Sequence, residues 1–274
     1  MDLEEEVKRV HKNITIRFKT YVEAIIEVYG EFMGEFNLER LNNIVDYGNH
    51  VIIGENGAIN AHANYTGVFL PIEAYKAIGE LRKFKDYGTN KNHTLYDSST
   101  MVINDNTFYD YIEHVVLTGT NEEEYFEDLL LHETMHFCGS GGASALKEGI
   151  NEYLTRKLAF EKGFRTSCCG YPKEVKIVAE LVKVFGEVVV NKIAFINDEN
   201  EIKKFLENKL GKEAKKLYTS ICRETKKEFY EKYYRYMHQY DGLEGILLKA
   251  YNYENIDYSK VYMCINKYKK ENKR

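Results

Sequence analysis

Five consecutive residues of the 274-residue chain have the types and spacing of a metal site: His132, Glu133, Thr134, Met135 and His136. On a helix, positions four apart lie about 40° apart around the axis and about 6 Å along it. Both imidazoles then reach one ion from one face. Zinc accepts neutral imidazole nitrogens at about 2.0–2.1 Å, and a catalytic site takes three protein ligands and leaves a position open. Glu133 stands beside the first histidine, where it can touch a water in that open position and take its proton. The chemistry expected of such a set is hydrolysis. A third ligand is sought downstream, where the chain reads Lys147-Glu148-Gly149-Ile150-Asn151-Glu152-Tyr153. Glu148 and Glu152 are one helical turn apart, so one or both can face the histidines.

These side chains work only if the elements carrying them are helices. Thr120 and Glu123 have capping-box spacing, and three glutamates fall in the first turn of the expected helix over 121–138. Phe126, Leu129, Leu130 and Phe137 supply an apolar face for burial. Cys138-Gly139-Ser140-Gly141-Gly142 ends it, because glycine adopts the left-handed capping conformation at little cost. Ser144 is placed to cap a second helix over 144–162.

His132-Glu133-Thr134-Met135-His136 followed by Glu148-Gly149-Ile150-Asn151-Glu152-Tyr153 resembles the gluzincin group of zinc metallopeptidases. In that group the third ligand is a glutamate on a downstream helix, and in aminopeptidase-like members it stands before glycine in an N-E-G-x-x-E-Y type stretch. The resemblance implies that Glu148 is the third ligand and that Glu152 lies close behind the ligands. Eleven residues separate His136 from Glu148, fewer than in those aminopeptidases. The likeness covers about 35 residues. Asn151 and Glu152 are candidates to hydrogen-bond and orient the imidazoles, as metal-bound histidines usually require. Tyr153, Arg156, Tyr171 and His238 are candidate donors to a developing oxyanion. The metzincin pattern is not completed: Gly139 fits it, but Gly142 stands where its third histidine belongs.

The rest of the chain sets the frame. Val7, Val10, Ile14, Phe18, Tyr21, Ile25 and Val28 recur at steps of three and four, predicting helix over 3–34, and a shorter helix follows over 38–46. Short β-branched or aromatic runs at 51–53, 67–70, 101–103 and 114–117 read as a small sheet, with a helix near 72–84 inserted. From 121 the pattern is helical again, over 121–138, 144–162, 173–186, 199–209, 211–238 and 258–272. This order predicts an α+β fold, and the resemblance implies a zincin-like one: a small mixed β-sheet and active-site helix, then a mostly helical C-terminal half. Residues 1–274 are expected to form a single metallopeptidase unit, with 1–120 as helix and small sheet and 121–274 as active-site helices and helical subdomain. Ser99–Asn104 or His114–Leu117 is the expected sheet edge for a peptide to join.

Composition narrows the partners. With 38 basic and 43 acidic side chains the net charge is -5, which gives no global attraction for nucleic acid. The acidic N-terminus Met1-Asp2-Leu3-Glu4-Glu5-Glu6 has no signal-peptide pattern, and no apolar run suggests a membrane span, so the expected compartment is cytoplasmic by default. Five cysteines, none in a Cys-x-x-Cys pair, read as reduced thiols. His50, His62 and His93 have no ligand spacing and read as surface residues. The sum is an enzyme with one Zn2+ per chain that hydrolyses a peptide or protein substrate, with a weak lean to endopeptidase. Its alternative is a non-catalytic metal-binding or partner-binding protein with a zincin-like fold.

Overall fold

A computed structural model of the chain describes residues 3–47, 51–54, 67–69, 83–86, 91–94, 101–104, 123–140, 144–166, 171–229 and 253–272. The helices are α1 (Leu3–Tyr29), extended by a 3-10 turn at Gly30–Phe32, α2 (Glu35–Tyr47), α3 (Glu123–Phe137), α4 (Ala145–Lys162), α5 (Pro172–Phe185), α6 (Glu187–Ala194), α7 (Glu199–Leu210), α8 (Lys212–Phe229) and α9 (Ser259–Glu271). The strands are β1 (Val51–Gly54), β2 (Gly67–Phe69), β3 (Lys83–Asp86), β4 (Lys91–Thr94) and β5 (Met101–Asn104). No helix among the described residues is long and apolar enough to cross a membrane.

The expected α+β, zincin-like class is corrected here: the described chain is mostly helical. Its strands are only three or four residues long, whereas the α-helices run from eight to 27 residues. The reason lies in the sequences themselves: β1, β2 and β5 are a few apolar residues closed off by glycine or polar neighbours, and β3 and β4 are mostly polar. β5 pairs with β1 in parallel and with β2 antiparallel, and β3 pairs with β4. β5 is therefore the middle strand of its three. Both its ladders are taken, which overturns Ser99–Asn104 as the edge for a peptide. The run at 114–117 lies outside the described residues, as does most of the helix expected near 72–84, whose last two positions belong to β3.

The chain divides into two compact units, 1–138 with 155–168, and 139–154 with 169–274. The first is built on α1. Val10, Ile14, Phe18, Tyr21, Val22, Ile25 and Tyr29 are buried along one stripe of that helix. Phe18 meets Phe137 edge to face at 5.0 Å between ring centroids, and Tyr21 meets Phe164 at 4.9 Å. These contacts place the end of α3 and the end of α4 on α1.

The second unit holds the start of α4 and helices α5 to α9. Pro172 opens α5, where its missing N–H costs nothing. Asp198 caps α7, accepting from the backbone N–H groups of Asn200 at 2.7 Å and Glu201 at 2.8 Å. Helix α6 has no counterpart in the sequence expectations. Its Val188-Val189-Val190 run favours strand, yet Val189, Val190, Ile193 and Ala194 are buried together, so packing outweighs propensity.

Candidate metal centre

Helix α3 is fixed along its buried face and at its end. Leu130, Leu131, Met135 and Phe137 have essentially no exposed surface. Asp128, one turn before His132, is buried and accepts from the Thr166 hydroxyl at 2.5 Å. Arg17 pairs with neighbouring Glu127 at 2.5 Å. At the C-terminus Gly139 has φ 101°, the left-handed region, and the helix stops there as the glycine run predicts. The last carbonyls of a helix have no partner within it. Here α2 supplies donors: Arg40 Nη2 to the Phe137 carbonyl at 2.6 Å, and Asn37 Nδ2 to the Cys138 carbonyl at 2.8 Å. Asn37 Oδ1 in turn accepts from Arg40 Nε and Nη2, at 3.1 and 2.8 Å. Two bonds from α2, themselves braced by the Arg40–Asn37 pair, thus hold the turn that follows His136.

Helix α4 starts where expected. Ser144 Oγ accepts from the Lys147 backbone N–H at 3.3 Å, a side-chain N-cap. Lys147 is buried. Its ammonium donates to the carbonyls of Ile193, Ala194 and Ile196 at 2.6, 3.1 and 2.8 Å. Two of these end α6, so Lys147 caps a second helix as it anchors the first turn of α4. Burial pulls its pKa down to about 8. The three carbonyl acceptors oppose that pull by favouring the ammonium.

The geometry brings His132, His136 and Glu148 together. Each offers a ligand atom, and these atoms all lie within 4.8 Å of one another. The two imidazole rings stand 4.8 Å apart at 79°, one turn apart on α3. His132 is buried, while His136 and Glu148 are half-buried, a setting reachable from solvent. Two neutral nitrogens and one carboxylate oxygen are a donor set suited to zinc. The residues present therefore can hold a metal ion. Glu148 rather than Glu152 joins the histidines; Glu152 is buried one turn further along α4. Glu133 is half-buried, next to His132 on α3.

The other expected residues stand as follows. Asn151 is fully buried on α4, and Tyr153 and Arg156 are half-buried on it. Tyr171 precedes α5 with φ 45°, a left-handed conformation rare outside glycine. His238, His50 and His62 lie outside the described residues, as do Cys168, Cys169 and Thr120. Cys138, Cys222 and Cys264 are free thiols. Burial pushes the Cys138 thiol up to about 12, so it stays protonated and offers no thiolate to a metal.

Asn37, Arg40, Lys147 and Glu174 support these helices without having been singled out by sequence. Only one signal points to any of them. Gly149 sits inside a helix, where glycine marks a close approach. A Cβ there would fall 2.5 Å from the Cβ of Glu174. No protein-family model, curated protein or solved structure matches the chain.

Proposed function

We propose that the chain is a zinc-dependent peptidase of gluzincin type at its site, with His132, His136 and Glu148 holding the ion and Glu133 as general base. One observation carries this reading: the three ligand atoms converge within 4.8 Å on two helices, with Glu133 adjacent to the first of them. Zinc held by His132, His136 and Glu148 would supply Lewis-acid activation of a water. Glu133 would serve as the base that takes the proton of the attacking water and returns it to the leaving amine. The half-buried setting of His136 and Glu148 leaves a side from which substrate can approach. The likeness to gluzincins is one of site residues. It does not extend to their fold class.

The substrate class is a polypeptide amide, with endopeptidase action favoured because no anionic group marked out to hold a free amine is found in the sequence. The test is a peptide-library cleavage screen on zinc-loaded protein, with Glu133→Gln beside it. Cleavage by the native chain, lost by about 10²–10⁴-fold in Glu133→Gln while zinc is kept, is the expected result. Zinc bound with no cleavage of any peptide would leave a metal-binding protein without this activity. Full activity in Glu133→Gln would remove the residue from its role.

A further inference from the structure

Gly149 follows the third ligand directly and lies in the interior of α4. A glycine inside a helix is destabilising relative to alanine. A contact explains it. A Cβ at Gly149 would lie 2.5 Å from Glu174 Cβ, 2.9 Å from its carbonyl carbon and 3.1 Å from its carbonyl oxygen. The α4 backbone beside Glu148 therefore rests on the first turn of α5.

That first turn is itself held rigidly. Glu174 is fully buried. Its carboxylate accepts from the Tyr253 hydroxyl at 2.5 Å and from the Tyr258 hydroxyl. Tyr253 also accepts from the Lys173 backbone N–H at 3.3 Å. The Lys173 ammonium donates to the carbonyls of Tyr253, Glu254 and Ile256 at 2.9, 2.7 and 3.0 Å. A buried carboxylate is costly unless hydrogen-bonded, and two phenol donors meet that need while fixing its rotamer. Tyr258 is buried, and burial beside the Glu174 carboxylate holds its hydroxyl protonated.

We propose that Glu174, locked by Tyr253 and Tyr258, is a positioning residue for the metal site: it sets where α4 places Glu148. This rests on reading His132, His136 and Glu148 as metal ligands. Metal–ligand distances are held to narrow values, so the placement of the backbone that carries a ligand matters. Groups behind the ligands typically change metal affinity by about 10–100-fold. The seat under Gly149 is one residue from the ligand and contains no ligand itself, so it acts through the backbone.

The test is the affinity of the full chain for zinc alone, by competition with a chromophoric chelator. It is made on the native chain and on Gly149→Ala, Glu174→Ala, Glu174→Gln and Tyr253→Phe, at a temperature where circular dichroism shows each one folded. Gly149→Ala and Glu174→Ala should weaken zinc by about 10–100-fold, whereas Glu174→Gln, which keeps the shape and one of the two acceptor oxygens, should weaken it by less than Glu174→Ala does. A purely structural role would change the melting temperature and leave zinc affinity alone. If Gly149→Ala and Glu174→Ala do not fold, half-exposed Tyr253→Phe decides. It should weaken zinc several-fold relative to the native chain. Tight zinc in the native chain and equal affinity in every folded variant would overturn the positioning role and leave the metal site standing. No zinc in the native chain would remove both.

Discussion

The guanidinium of Arg40 holds Phe137 twice: it donates to the backbone carbonyl at 2.6 Å and lies 4.7 Å from the centre of the ring. Phe137 follows His136, so this clamp closes the helical turn that carries the second histidine. A hydrogen bond from a charged donor is worth about 1.5–3 kcal/mol net, and a half-buried cation–π contact about 1 kcal/mol. Arg40→Met keeps much of the apolar stem and removes both. It should lower unfolding stability by about 2.5–4 kcal/mol, read as a shift in the urea midpoint at unchanged slope. It should also weaken zinc binding. An unmoved midpoint would show that the clamp carries no weight.

Lys147 should prove harder to replace than an ordinary lysine. Lys147→Met fills similar volume but leaves three carbonyls, at Ile193, Ala194 and Ile196, without their donor. Unsatisfied buried polar groups cost about 1–3 kcal/mol each, so a loss of about 3 kcal/mol or more is expected in thermal or denaturant unfolding. A neutral or stabilised variant would mean that the apolar gain outweighs those bonds.

How much of this was legible in the sequence differs from residue to residue. The pair His132 and His136 was, because a four-residue step on a helix is a local rule. So were the stop at Gly139 and the cap at Ser144, which depend on neighbours within a few positions. Glu148 was legible through Gly149 beside it, although spacing alone left Glu152 open. The clamps were not. Arg40 and Phe137 are 97 residues apart and Glu174 and Tyr258 are 84 apart, and no local pattern encodes such contacts. The fold class differs from the expectation for a related reason. Short β-branched runs predict a sheet layer, but they yield strands of three or four residues, while the valine run at 188–190 is held in a helix by burial of Val189 and Val190.

Alkaline pH should unfold the chain through its buried tyrosines. Burial, and next the Glu127 carboxylate, pushes Tyr21 up from 10.0 to about 12. Burial raises Tyr218 and Tyr258 as well. The unfolded chain sheds these protons near the ordinary value, while the folded chain keeps them. The folded state therefore binds more protons above pH 10, and stability falls as pH rises from about 10 to 12. Urea unfolding at about pH 9 and about pH 11 should show the loss, with phenolate absorbance appearing together with unfolding. Phenolate titration of these residues in the folded chain near their ordinary value would contradict it.

Removing metal should destabilise the zinc-loaded chain. A ligand that binds only the folded state adds about 2.7 kcal/mol at a free concentration one hundred times its Kd. A chelator should therefore lower the melting temperature of the native chain and leave that of His136→Ala almost unmoved. Equal shifts in both would place the metal effect elsewhere.

The most direct measurement is zinc per chain by elemental analysis, on protein purified without chelator, for the native chain and for the His132→Ala and Glu148→Ala variants. The convergence of His132, His136 and Glu148 predicts about one zinc per native chain and a large loss in both variants. No zinc in the native chain after incubation with excess metal, or full occupancy in the variants, would contradict the metal centre and the hydrolytic chemistry built on it.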